Sequence, residues 1–114
     1  MISKKISIPI YYGYLVVVIS DDFNAVAKKY QIKEPVEHYG AFVYPFRNKD
    51  GIMEFMVCVP KDVSNHLIAH EVTHLVNAIF IDKGIQLDRH NDEPQAYLTG
   101  WIFCEIEKFL NKNL

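Results

Sequence analysis

The stretch "NHLIAHEVTHLVNAIF", Asn65 to Phe80, decides how this chain reads. Leu67, Ile68, Leu75, Val76, Ile79 and Phe80 recur at helical spacing. They predict a helix that is capped by Ser64 or Asn65 and runs to about Asp82. Three histidines and a glutamate interrupt it: His66, His70, Glu71 and His74. The apolar flanks predict a buried helix. Imidazoles and a carboxylate on a buried face cost free energy unless they find partners.

His70 and His74 are four residues apart, which puts both imidazoles on one helix face, one turn apart. Two neutral imidazoles so placed can bind one Zn²⁺ from the same side. Glu71 points about 100° further round, near such a metal without having to ligate it. This is the His-Glu-x-x-His pattern of zinc metallopeptidase helices, and about one chain in a hundred of this composition carries it by chance. The plain alternative is a helix whose histidines hydrogen-bond inside the fold. A catalytic zinc needs a third protein ligand and an open position. The downstream candidates are His90, Asp92 and Glu93. His90 lies in a polar loop, and Asp92 suits the N-cap of the last helix. Glu93 follows eighteen intervening residues, Leu75 to Asp92, and opens that helix. An antiparallel helix hairpin broken near Gly84 returns Glu93 toward His70 and His74, where a carboxylate also suits the helix dipole.

The rest of the chain fits one domain. Its 114 residues are 50% hydrophobic and carry a net charge of −2, with a pI near 6.2. That is a globular α+β composition with one modest core. No run of Lys or Arg appears, which argues against nucleic acid or an anionic membrane as partner. Cys58 and Cys104 are far apart and read as reduced thiols. The apolar run Ile6–Ile19 contains Ser7, Pro9 and Gly13 and is rich in β-branched residues and Tyr. It reads as two extended segments, 6–12 and 14–20, bent at Gly13, and not as a signal peptide or a membrane span. A cytoplasmic protein is therefore expected.

Asp21 or Asp22 caps a short helix through about Tyr30. "YGAFVYPF" and "GIMEFMVCV" form a hairpin that turns at Asp50-Gly51, and Pro45 marks the first of its strands as an edge. Strand 52–59 is expected to form the upper rim of the cleft, open to an added peptide strand. In the last helix, Asp92 caps, Pro94 fits the first turn and Gln95 completes a capping box. Its stripe of Ala96, Tyr97, Trp101 and Cys104 is expected to pack on the histidine helix, with Gly100 permitting close approach.

The spacing His-Glu-x-x-His, eighteen residues, Glu resembles the metal signature of the gluzincins, the zinc aminopeptidases in particular, whose third ligand sits in a segment of the type N-E-x-x-A. "NDEPQAYLTGW" has Glu93 and Ala96 in matching places. In size the chain is similar to minigluzincin peptidases. "DEPQAYLTGWI" resembles small zincin-like proteins encoded by phages and prophages. The likeness covers about residues 64–104. It implies a zincin-like fold, Zn²⁺ held by His70, His74 and Glu93, Glu71 as general base and acid, and a peptide or protein substrate. "GIMEF" is similar to the aminopeptidases' Gly-x-Met-Glu-Asn amine-binding segment, but Phe55 replaces its Asn. The minigluzincin Glu four residues before the first motif histidine is replaced by His66. Where thermolysin-like enzymes carry a bracing carboxylate, this chain has Tyr97. His66 and Tyr97 are thus auxiliary candidates, for substrate contact or for bracing a ligand. Two other readings stand beside this one: a catalytically inactive zinc-binding module, which shares His70, His74 and Glu93, and a metal-free, phage-derived protein-interaction module.

Overall fold

The computed structural model describes residues 1–114. In chain order it contains β1 (Ile2–Ser7), β2 (Tyr14–Ile19), α1 (Phe23–Tyr30), β3 (Phe42–Arg47), β4 (Met53–Val59), α2 (Asn65–Lys83) and α3 (Glu93–Lys112). The fold class is α+β, as the element order predicts. No helix is long and apolar enough to cross a membrane.

The runs "YLVVVI" and "MEFMVCV" lack polar alternation because both faces of their strands are covered. They are the two central strands of a four-stranded mixed sheet of order β1-β2-β4-β3. β2 and β4 pair in parallel, Leu15 opposite Phe55 and Val17 opposite Val57, and the outer pairs are antiparallel. Successive strand residues point to opposite faces. Leu15, Val17, Ile19, Phe55, Val57 and Val59 therefore meet α2 and α3 in the larger core cluster. Val16, Val18, Met56 and Cys58 meet Val26 of α1 and Val36 in the smaller one.

β1 lies earlier than expected, at residues 2–7 and not 6–12. It is an edge strand, so it can carry the lysines of "ISKKIS". Residues 8–13 form the turn, closed by Ile8 N–H donating to the Gly13 carbonyl at 3.1 Å. Gly13 has φ +136°, and a Cβ there would lie 3.0 Å from the Met53 carbonyl oxygen, so the neighbouring strand demands glycine.

At the other edge, Asn48 N–H donates to the Ile52 carbonyl at 2.8 Å. With Tyr44 opposite Met56 and Phe46 opposite Glu54, this sets the even-numbered residues of β3 in the ladder. Pro45 falls in the other phase, where its missing N–H costs the sheet nothing. The β3–β4 turn passes through Gly51 at φ +79°, as the Asp-Gly pair predicts.

Asp22 caps α1 by accepting from Ala25 N–H at 3.1 Å. Gly84 ends α2 at φ +69°, and Ile85 N–H returns to the Phe80 carbonyl at 2.8 Å. The other two expected caps differ. Asp92 stands at the N-cap of α3 and Ser64 at that of α2, but neither side chain makes a capping bond.

The buried stripe of α3 is Leu98, Ile102, Ile106 and Phe109, not Ala96, Tyr97, Trp101 and Cys104. Ala96, Tyr97 and Cys104 are exposed and Trp101 is half-buried. The branched aliphatics at i, i+4 and i+8 fit against α2 and the sheet. The aromatics next to them fall at the margin. Gly100 consequently faces open space, with nothing within 4 Å of a Cβ built there. It permits no close approach.

Two outcomes follow from these contacts. Gly100→Ala removes a flexible residue from a helix interior without a clash, so it should stabilise the fold by about 0.5–1 kcal/mol, read as a raised Tm. Burial pushes the Cys58 thiol up to about 12, whereas Cys104 is exposed. A thiol reagent at pH 8 should therefore modify one cysteine per native chain, Cys104, and both only after denaturation.

Candidate metal site and cleft

α2 buries Ile68, Val72, Leu75, Val76, Ile79 and Phe80. At about 100° per residue, His70 and His74 fall on the side opposite this stripe. Both are exposed, the His70 side chain by 63%. The sequence predicts buried imidazoles and the structure has the reverse. The buried polar residue of the motif is Glu71, 6% exposed. The aliphatics already fill the core-facing positions, so the histidines turn outward and the residue between the two faces is enclosed.

The two imidazoles converge. Their Nε2 atoms are 3.2 Å apart, with ring centroids 4.8 Å apart at an interplanar angle of 77°. Glu71 Oε2 lies 3.9 Å from His70 Nε2. Burial raises the Glu71 carboxyl above the usual carboxylate range, and the adjacent His70 and His74 pull it partly back.

These three side chains line one wall of a cleft of about 480 Å³. α2 and β3 run in the same direction and are tied at both ends. A Cβ on Gly40 would lie 3.3 Å from Leu67 Cδ1, and Arg47 pairs with Asp82 at 4.0 Å. Fifteen residues of helix rise about 22 Å and seven of strand about 23 Å, so the two keep step. His70 and His74 therefore stand opposite about Ala41 to Val43. The cleft runs along the free edge of β3 and is closed on its far side by Ile32, Glu34, Val36 and Tyr39 from the connection 31–41.

This geometry corrects the expected rim. Strand 52–59 is β4, covered by β2 on one edge and β3 on the other, and offers no edge to a peptide. The open strand is β3, consistent with Pro45. Glu54, from the "GIMEF" segment, shares the face of Met56 and Cys58, away from α2. There it accepts from Lys5 Nζ at 3.1 Å and Asn48 Nδ2 at 2.8 Å. It is a structural carboxylate with no path to the cleft.

The other candidates lie apart. His66 is exposed, and its Nδ1 is 3.1 Å from the Ser64 hydroxyl, which explains why that hydroxyl does not cap the helix. Asp92 and His90 are exposed in the approach to α3, the His90 N–H donating to Asp88. Glu93 is exposed on the first turn of α3. It lines a separate apolar depression with Pro9, Ile10, Tyr11, Leu98 and Trp101, beside the β1–β2 turn and sharing no residue with the cleft. Tyr97 borders the same depression and is 76% exposed, so it brings neither core packing nor a brace to the histidines. No three His, Cys, Asp or Glu side chains converge tightly enough to hold a metal as they stand. Of the motif, the structure brings together His70, Glu71 and His74. Among the cleft residues that the sequence left unremarked are Ile32, Glu34 and Tyr39. They reach it by the path of the connection around the sheet edge, which no local pattern signals.

No protein family, curated protein or solved structure matches the chain.

The raised Glu71 carboxyl has a consequence for stability. A group that holds its proton more tightly when folded disfavours the folded state once pH rises past its unfolded value. In chelator-treated protein, Glu71→Gln should thus raise Tm at pH 7, and the gain should shrink as pH falls through the carboxylate range. A Tm difference independent of pH would show that Glu71 is not strained by burial.

Proposed function

We propose that the chain is a small zinc-dependent metallopeptidase of gluzincin type with a zincin-like fold, in which His70, His74 and Glu93 hold the metal. The observation that carries this reading is the 3.2 Å approach of the two Nε2 atoms beside a buried carboxylate. Two nitrogens bound to one tetrahedral zinc at 2.0–2.1 Å stand about 3.3 Å apart, so the spacing of the pair matches such a metal, and a modest turn of the rings, which now face each other, would aim both at it. Glu93 is assigned by its spacing and its place at a helix N-terminus. Its exposed carboxylate makes no hydrogen bond or ion pair within the chain, but it lines a different depression from the histidines and has to approach them to ligate the same metal. Zinc, when bound, supplies a Lewis acid and brings the pKa of water to about 7.

The chain's own residues supply the rest. Glu71 takes a proton from water at its carboxylate and passes it to the leaving amine. A burial-raised proton affinity suits a group that must do both. The outer edge of β3 carries the N–H and C=O of Val43 and the C=O of Pro45, none of them used by the sheet. An extended peptide that pairs with this edge lies across the wall holding His70, Glu71 and His74.

An inactive zinc-binding or interaction module is the second reading. It draws on the apolar surface beside Glu93, where Ile10 is 98% and Tyr97 76% exposed. The two separate at Glu71. Elemental analysis should find about one zinc per chain in the wild type and in Glu71→Gln, and little in His74→Ala or Glu93→Ala. Peptide-library cleavage should fall by at least about a hundredfold in Glu71→Gln. Full zinc with no cleavage by either protein selects the inactive module, and absence of zinc after supply selects the metal-free one.

A further inference from the structure

The cleft has a charged group, Glu34, that the proposed chemistry does not use. Its charged lining groups are Glu34 and Glu71, and no Lys or Arg lines it. Glu34 makes no hydrogen bond or ion pair within the chain and sits on the wall opposite α2. Its neighbours Ile32 and Val36 anchor that wall: they pack with Phe42 and Tyr44 on the α1 face of the sheet. The free edge of β3 thus runs between two walls, one with His70, Glu71 and His74, the other with Glu34.

A peptide strand added to that edge alternates its side chains between the two walls. Residues of one parity meet the histidine wall. Those of the other parity meet the half-buried Ile32 and the exposed Glu34, an apolar residue beside a carboxylate. A long side chain with an apolar stem and a cationic head matches this wall, because the stem packs on the half-buried Ile32 while the head stays solvated beside Glu34. An acidic side chain there would meet Glu34 as a like charge.

We infer that Glu34 is a specificity-determining residue: the cleft selects extended peptides that present a Lys or Arg to the wall opposite the histidines. This rests on the cleft being the peptide site proposed above. The source of the selectivity is a single partly solvated charge pair, so the preference is modest and falls with salt.

The test uses the full chain carrying Glu71→Gln, so that binding is read without turnover. Three fluorescent nine-residue peptides, alanine-valine in sequence, carry Lys, Gln or Glu at the central position, and anisotropy gives their Kd at low and high salt. The Lys peptide should bind about five-fold tighter than the Gln peptide, and the Glu peptide weaker by a similar factor. Adding Glu34→Lys should invert that order, with circular dichroism confirming that the double variant is folded. Binding with a Lys preference that survives Glu34→Lys, or with none, overturns the role of Glu34 and leaves the peptide cleft standing. No binding of any peptide overturns the peptide cleft and the Glu34 inference with it, whatever the zinc content.

Discussion

The parallel pairing of β2 with β4 is the constraint on which the rest depends. Two strands without polar alternation must be covered on both faces, so the sheet needs helices on each side. α1 covers one face, and α2 with α3 covers the other. Once β2 and β4 are central, β3 is left as an edge, and the connection from α1 to β3 has to pass around that edge. The cleft is the space this path leaves between the connection, β3 and α2. The candidate site therefore follows from how the sheet is buried, not from a loop added to it.

Much of this was legible in the sequence, and the failures have particular causes. The apolar runs at 14–20 and 52–59, the turn at Asp50-Gly51, the edge position of Pro45 and the end of α2 at Gly84 are local signals, and each is found where it was read. The order of strands is not local. Nothing in "GIMEFMVCV" says that β2 will lie against its second edge, and so the rim of the cleft was placed one strand too far in. β1 was placed too late because an edge strand can consist of "ISKKIS", whose lysines argue against a strand only if both faces are assumed to be buried. On α3, hydrophobic weight favoured the aromatics. Packing chose Leu98, Ile102 and Ile106, one position away, and a shift of one residue turns a helix by about 100°.

The His-Glu-x-x-His motif was legible as a spacing and misread as an environment. The reasoning that made the histidines notable was their expected burial, and they are exposed. That removes the burial from the reading in which they are core hydrogen-bonders, although the two rings do lie within hydrogen-bond distance of each other. It also removes the argument that burial obliges them to share a metal. What remains is geometric: two exposed rings whose Nε2 atoms point at each other across 3.2 Å. Solvent would allow them to separate at little cost.

Glu71 is the harder residue to explain without chemistry. A helix that needed only to pack on the sheet could carry Ala or Leu between its two faces, and neither would incur the desolvation that raises this carboxyl. A surface carboxylate would serve equally well for solubility. Local rules in a sequence are broken most often where function requires it. Here the broken rule stands within 3.9 Å of a metal-capable imidazole and faces the cleft beside the sheet's only edge able to take up a strand over the histidines. Enclosure of the carboxylate, outward histidines and an unpaired strand edge are separate features of the fold. A peptidase uses all three, whereas a structural metal site would use only the histidines.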